Sequence, residues 1–133
     1  MTGRLPAIAV LLILSTAANA CRFAQDAQPA QWDEWSSALF AADVASIEAD
    51  RQKSLDVIAV RVVETFKGPQ GAAATLRVPN RMWASCGLAM PSIGARVLVA
   101  FNPNGDILLV PLTQAYSQRL RQLFQPPQGQ NNR

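Results

Sequence analysis

Hydrophobic and polar residues alternate through the middle of this chain in a pattern that predicts β-strands. The clearest strand covers residues 56–66, where Ile58, Val60 and Val62 share one face and Ala59 and Arg61 the other. Further apolar stretches predict four more strands, at residues 39–47, 75–78, 95–101 and 107–111. Polar segments or segments with turn-forming residues separate them, at 48–54, 67–71, 79–92 and 102–106. The pattern therefore predicts five strands.

Helical signals flank the strands. Pro29 suits a first helical turn and predicts a short helix that includes residues 31–35, with Trp32 and Trp35 on one face that packs against the core. At the other end Thr113 is placed as an N-cap, ahead of an amphipathic helix of about three turns. Its apolar stripe consists of Leu112, Tyr116, Leu120, Leu123 and Phe124. We expect Pro126 to end the ordered part, with residues 126–133 as a disordered tail.

Five strands with hairpin-like links and flanking helices indicate a mainly β fold. We predict a five-stranded barrel of OB-fold type, closed or partly open, with a short N-terminal helix and a C-terminal amphipathic helix. The pattern alone is equally compatible with part of a β-sandwich.

The first twenty residues have the features of a signal peptide. Arg4 is followed by an apolar stretch of eight residues at 7–14 and by the small-residue cleavage site Ala18-Asn19-Ala20. Residues 1–20 are therefore predicted to be removed on export. A transmembrane anchor is the alternative, but an anchor needs ~20 apolar residues. A second alternative is lipid attachment at Cys21, although a lipoprotein signal usually has Leu three positions before the Cys.

Cleavage would leave a single domain at residues 21–125, located in the periplasm or outside the cell. The full chain has twelve Lys and Arg against nine Asp and Glu. Loss of Arg4 leaves eleven against nine, a net charge of +2. This balance and the absence of a basic run argue against a nucleic-acid partner.

Two cysteines, Cys21 and Cys86, are present. In an oxidising compartment they are expected to pair, closing a loop of about 65 residues.

The chain has no histidine, which removes the commonest general base, the usual Ser or Cys triads and most zinc sites. Asp43, Asp56 and Glu64 are the carboxylates left for an enzymatic hypothesis, and we expect them to be solvated strand residues. The sequence thus predicts a non-enzymatic protein without a cofactor.

Four features in this order resemble the netrin-like and TIMP-like OB-fold family, which includes tissue inhibitors of metalloproteinases and small bacterial relatives. They are Cys21 at the mature N-terminus, the strand at 39–47, the Val-rich strand that runs into Lys67-Gly68, and Ser85-Cys86-Gly87 ahead of the Gly-x-x-x-Leu-Val strand that begins at Gly94. The resemblance covers about residues 21–112.

The resemblance implies a disulfide between Cys21 and Cys86 and an inhibitory mechanism. In family inhibitors the amine and carbonyl of the first Cys bind the catalytic zinc of a protease, at the position that such zinc keeps open for water. Here Cys21 would be that ligand, in trans. The partner-binding ridge, as we call it, would consist of Cys21, Arg22, Phe23, Trp83, Ser85 and Cys86.

This chain departs from the family pattern at two positions. Phe23 stands where family inhibitors usually have a second Cys, and Arg22 stands where a small or uncharged residue enters the protease pocket. The alternative is a periplasmic or extracellular adaptor without inhibitory activity, which contacts its partner through the loop at 79–92, including Met82 and Trp83, or through the barrel face.

Overall fold

A computed structural model describes residues 27–68, 71–86 and 88–125, apart from the side chains of residues 84–86. Eight elements follow one another: helix α1 (Pro29–Trp35), strands β1 (Ala38–Asp50), β2 (Leu55–Lys67) and β3 (Ala73–Pro79), helix α2 (Arg81–Cys86), strands β4 (Arg96–Phe101) and β5 (Ile107–Pro111), and helix α3 (Gln114–Phe124). The predicted signal peptide at 1–20, the residues 21–26 and the predicted tail at 126–133 lie outside the described residues.

The five strands form one antiparallel sheet in the order β3-β2-β1-β4-β5. The protein is therefore mainly β, as predicted. Strands β1, β2 and β3 form a meander, and β4 returns to lie beside β1, which is the order of a Greek key. β3 and β5 are the two edges of the sheet. In the described part of the chain no strand pairing joins these edges, so the predicted closure into a barrel is not observed.

The pairing between β1 and β2, at the centre of the sheet, is irregular. Its register against β2 shifts at Leu39/Phe40, at Ala41/Ala42 and at Val44/Ser46. Such bulges bend a strand and increase its twist. β1 pairs with β4 only over residues 38–43, whereas its pairing with β2 runs to Asp50. The hairpin of β1 and β2 therefore extends beyond β4.

The sheet buries side chains on both of its faces. Residues that pair directly across antiparallel strands share a face, and on one face Phe40 pairs with Val99 and Ile58 with Leu76. We call this the inner face; all four of these residues are buried. On the opposite, outer face Leu98 pairs with Val110. Burial of both faces explains why residues 97–100 form an unbroken apolar run rather than an alternating one.

Both predicted helices at the ends of the domain are confirmed. Helix α1 begins at Pro29, and Trp32 is buried, as expected for packing. Thr113 is the N-cap of α3, and its Oγ1 accepts a hydrogen bond from the Tyr116 backbone N–H at 3.1 Å. The predicted apolar stripe is wrong at Leu123, whose exposed fraction is 45%.

Two predicted loops are partly wrong. Residues 48–50 belong to β1 rather than to a loop, because they pair with residues 55–57 of β2. The predicted loop at 79–92 contains helix α2. A helix of six residues is too short to repeat the 3.6-residue apolar period, so the pattern carried no signal for it.

Candidate functional site

Helix α3 holds the point at which the N-terminal arm, residues 21–26, joins the described structure. The Tyr116 hydroxyl donates to the Ala27 carbonyl oxygen at 2.6 Å. One turn further on, Arg119 Nη2 donates to Gln28 Oε1 at 2.6 Å. The Arg119 guanidinium lies 5.4 Å from the centroid of the Tyr116 ring, within cation–π range. The chain therefore enters the domain at a position fixed by two side chains of α3.

Tyr116 remains a hydrogen-bond donor through the neutral range. Burial disfavours its phenolate and raises the pKa of Tyr116, while a hydrogen bond with Trp32 and the charge of Arg119 act in the opposite direction. Because the net shift is upward, the hydroxyl keeps the proton that it donates to Ala27.

A mainly apolar cavity of about 370 Å³ lies beside this entry point. α1, the outer face of β4 and β5, and the start of α3 surround it. Its lining residues are Ala27, Trp32, Leu88, Leu98, Val110, Pro111, Thr113 and Tyr116. The hydroxyls of Thr113 and Tyr116 both have hydrogen-bond partners within the protein.

Helix α2, which contains Cys86, is anchored to the hairpin of β1 and β2. The Asn80 backbone N–H donates to the Ser54 carbonyl oxygen at 3.0 Å. Trp83 Nε1 donates to Asp56 Oδ2 at 2.9 Å, and Met82 is buried in the core. Asp56 is buried as well, which corrects the expectation that it is solvated. Its carboxylate is held by the indole N–H.

The chain segments that follow the two cysteines meet at the cavity. Leu88, two residues after Cys86, and Ala27, six residues after Cys21, line the same wall. An extended chain spans at most ~3.5 Å per residue. The Cα of Cys86 therefore lies within about 7 Å of that of Leu88.

Asp43 is paired on the outer face of the sheet. It accepts hydrogen bonds from Arg96 Nε and, at 3.2 Å, from Arg96 Nη2, while Arg61 Nη2 lies 3.4 Å from Oδ2. The hydrogen bonds from Arg96 are the main reason that the pKa of Asp43 is lowered, with a smaller effect of Arg61. The same pairing raises the pKa of Arg96.

Two further ion pairs attach the helices to the end of β2. Arg121 Nε donates to both oxygens of Glu64 at 2.9 Å, and Lys67 Nζ lies 3.2 Å from Asp33 Oδ1. Asp43, Asp56 and Glu64, the candidate carboxylates, thus all take part in contacts that hold elements together.

Gly68, the second residue of the Lys-Gly pair, is required by its position. Its φ is +77°, and a Cβ there would lie 2.8 Å from the Ser37 carbonyl oxygen. A side chain would therefore be strained and would also clash with the segment that joins α1 to β1.

The structure describes only some of the residues that were predicted to form the partner-binding ridge. Trp83 is half-buried and packs against the core, whereas Ser85 and Cys86 are placed by backbone alone, in α2. Cys21, Arg22, Phe23 and the predicted disulfide lie outside the described residues.

Sequence reasoning missed the side-chain contacts of Trp83 and Tyr116. The hydrogen bond between Trp83 and Asp56 joins residues 27 positions apart, and no local pattern signals such a pair. For Tyr116 a signal existed, since it is the residue with a polar tip in the apolar stripe of α3.

Among residues 27–68, 71–86 and 88–125, no group of three His, Cys, Asp or Glu side chains is arranged to hold a metal ion. None of the helices in this part has the length and hydropathy needed to cross a membrane.

No protein-family model matches the chain, and no curated protein matches it.

Proposed function

We propose that this protein is an exported binding protein of OB-fold type that inhibits a metalloprotease through the amine and carbonyl of Cys21. The observation that carries the proposal is the meeting of two chain segments. Ala27 and Leu88, which follow Cys21 and Cys86, line one cavity. Such a meeting is what a ridge built from both segments requires.

The topology of the sheet supports the OB-fold part of the proposal. An OB-fold is a five-stranded, partly open Greek-key barrel, and β4-β1-β2-β3 has the Greek-key order. Bulges in the pairing of β1 with β2 would supply the bend that a rolled sheet needs. Pairing of β3 with β5 would complete the barrel.

The attachment of α2 supports the ridge. Trp83 Nε1 donates a hydrogen bond to Asp56 Oδ2 at 2.9 Å. The Tyr116 hydroxyl donates to the Ala27 carbonyl oxygen at 2.6 Å, which fixes the chain just after residues 21–26. A disulfide between Cys21 and Cys86 would join two parts of the chain that are each anchored nearby. A rigid ridge loses less conformational entropy when it binds.

The chemistry proposed for Cys21 is coordination in trans. After cleavage its uncharged amine and its carbonyl oxygen would occupy the open position of a catalytic zinc in the partner. Arg22 follows directly, and burial of its charge is costly without an acidic partner. The matching protease would therefore have an acidic residue in its specificity pocket.

A specific observation favours a second candidate, an adaptor without inhibitory activity. Met90 and Ile93, in the segment before β4, expose 44% and 68% of their surface. The hydrogen bond from the Gly94 backbone N–H to the Val44 carbonyl oxygen, at 2.7 Å, fixes this segment beside β1. Met82 was predicted as a contact of the adaptor, but its side chain is buried. We therefore propose Met90 and Ile93 as the contacts instead.

The mass of the exported protein and an N-terminal extension test the first candidate. We expect a mass that begins at Cys21 and gains two hydrogens on reduction. Adding one Ala before Cys21 should abolish inhibition of a zinc metalloprotease, because the α-amine then no longer lies beside the Cys21 carbonyl. The double variant Met90→Ala/Ile93→Ala is the matched control and should inhibit normally.

Two results would contradict inhibition through Cys21. One is equal inhibition by the extended protein. The other is a mass increased by a diacylglyceryl group and an acyl chain, since the amine would then be blocked. Loss of partner binding in the Met90→Ala/Ile93→Ala variant, with the extended protein unaffected, would favour the adaptor.

A further inference from the structure

We propose that the edge of β1 at residues 45–50 is a docking site for an extended segment of a partner protein, which pairs with β1 as an added strand and carries alternating apolar and basic side chains. We call residues 45–50 the open edge. Strand addition to an exposed sheet edge is a common mode of peptide recognition, in which main-chain hydrogen bonds hold the peptide and alternate side chains select it.

The open edge exists because β4 pairs with the first half of β1 alone. The last backbone hydrogen bonds on that side join Val44 to Gly94 and Ala95. There the chain turns away from β1, since the Ala95 backbone N–H donates to the Ser92 carbonyl oxygen at 3.0 Å and Gly94 has φ +89°. Within the part of the chain that the structure describes, the strand pairing of residues 45–50 is therefore with β2 alone.

The open edge is accessible. Most of its residues are exposed: Ala45, Ser46, Glu48 and Ala49. Helix α3, which binds Ala27 and leads to Gln125, lies near the opposite end of β1. The Gln125 side chain donates to the Thr65 carbonyl oxygen at 3.1 Å, and Thr65 pairs with Phe40 at the start of β1. A partner strand can therefore approach the open edge from solvent.

The two faces of the open edge differ in their chemistry. On the inner face Ile47 pairs with Ile58 and is half-buried against the core. On the outer face Glu48 pairs with Val57, and Asp50, two residues further on, shares this face. Among the described residues, neither carboxylate belongs to an ion pair. An added strand would therefore meet apolar surface on one face and two carboxylates on the other.

These carboxylates select the partner by charge. Opposite charges directly across neighbouring strands are stabilising, and like charges are destabilising. Lys or Arg on the outer face of the added strand would pair with Glu48 and Asp50, while apolar side chains on its inner face would extend the core at Ile47. Two copies of this acidic edge would repel each other. The turn that follows carries Arg51 and Lys53, so the acidic stretch ends at Asp50.

This inference goes beyond both candidate functions. Strand addition at the open edge requires neither the amine of Cys21 nor the exposed side chains of Met90 and Ile93. Each of the three proposals can therefore fail without the others.

A designed peptide tests the open edge in the purified exported protein. The probe is a fluorescein-labelled peptide of alternating Val and Lys, as long as the open edge. We expect saturable binding by fluorescence polarisation, with a Kd below about 1 mM, and slower hydrogen exchange of amides within residues 45–50 when the peptide is bound. A peptide with Glu in place of Lys should bind about fivefold more weakly.

Matched variants test the charge selection. Glu48→Lys should weaken binding of the Lys peptide about fivefold and strengthen binding of the Glu peptide. Glu34→Lys makes the same change of charge at an exposed residue of α1, outside the sheet, and should bind both peptides as the parent does.

N-methylation of the peptide tests main-chain pairing. Alternate residues of a strand direct their N–H groups to opposite sides, so an edge strand uses the N–H groups of every second residue. Methylation of one set, either all Val or all Lys residues, should abolish binding. Methylation of the other set should leave binding intact.

Three results would overturn the proposal. One is the absence of saturable binding, which would include the case in which another part of this chain already pairs with the open edge. The second is equal binding of the Lys and Glu peptides, or of the two N-methylated peptides. The third is a dimer in which residues 45–50 are protected from exchange without peptide, since the occupant would then be a second copy.

Inhibition of a zinc metalloprotease is measured in parallel, and Glu48→Lys should inhibit as the parent does. Peptide binding without inhibition would leave the open edge standing while the mechanism through Cys21 fails. Inhibition without peptide binding would do the reverse.

Discussion

Asp43 connects three strands through its side chain. It lies on β1 and is paired with Arg96 on β4 and with Arg61 on β2. These groups are partly exposed, so solvent weakens the attraction, and surface pairs contribute about 1 kcal/mol or less. The main effect of these ion pairs is to connect β1 to β2 and β4 on the outer face.

The first prediction concerns the pH dependence of this cluster. The lowered pKa of Asp43 means that the unfolded chain takes up the proton first on acidification. The stabilisation is therefore fully present above the ordinary pKa of 3.8 and is lost as pH falls through the folded-state pKa. Asp43→Asn should lower the free energy of unfolding by about 1 kcal/mol near neutral pH, with the difference disappearing in acid.

Urea denaturation across pH measures both variants. Glu48→Gln is the matched control, since Glu48 is an exposed carboxylate on the same strand and belongs to none of the ion pairs seen in the described residues. The free energy of unfolding of Glu48→Gln should equal that of the parent across this pH range. A gap between Asp43→Asn and the parent that persists unchanged to about pH 2 would show that the carboxylate charge is not its cause.

At the scale of elements, α3 holds Ala27 and Gln28 through side-chain hydrogen bonds, and Thr113 caps the start of α3. Its Oγ1 satisfies the Tyr116 backbone N–H at 3.1 Å, one of the groups that a helix start leaves without a partner. Tyr116 in turn holds Ala27. The cap therefore supports the contact to Ala27 as well as the start of the helix.

The second prediction follows from this cap. Thr113→Ala should lower the free energy of unfolding by about 1 kcal/mol, measured by chemical denaturation. Thr113→Ser keeps the hydroxyl oxygen, so its free energy of unfolding should fall only slightly. If the Ser and Ala variants lose stability equally, the lost methyl group at the cavity wall, rather than the hydrogen bond, is responsible.

Strong periodicity made most elements predictable. Alternation identified β2, and the turn at 102–106 was recognisable from Asn104-Gly105, where Gly105 has φ +87°. The short helix α2 has too few residues to show a helical period. In α3, Leu123 is exposed because the neighbouring residue Phe124 packs its ring on Phe66, with the ring centroids 6.1 Å apart. Which of two adjacent apolar residues is buried depends on the docking of the helix, which the sequence does not encode locally.

At the scale of the whole molecule, the sequence predicted a mainly β domain but not how its distant parts meet. The cavity is formed by residues from Ala27 to Tyr116, contributed by two helices, two strands and the segments beside them. No local sequence pattern indicates that these residues line one cavity. The two cysteines were a signal of another kind, because the expected oxidising compartment, rather than periodicity, predicted that they pair.

The third prediction is that the link between Cys21 and Cys86 stabilises the whole domain. It would enclose α1, β1, β2, β3 and α2, a loop of about 65 residues, and loop-closure entropy assigns such a bond roughly 4 kcal/mol. Reduction should lower the free energy of unfolding of the exported protein by about that amount, as measured by urea denaturation with and without reductant. Cys86→Ser should show the same loss without reductant and no further loss with it. A Cys86→Ser protein as stable as the oxidised parent would contradict the link, and the rigid ridge would then have to depend on the contacts of Trp83 and Tyr116 alone.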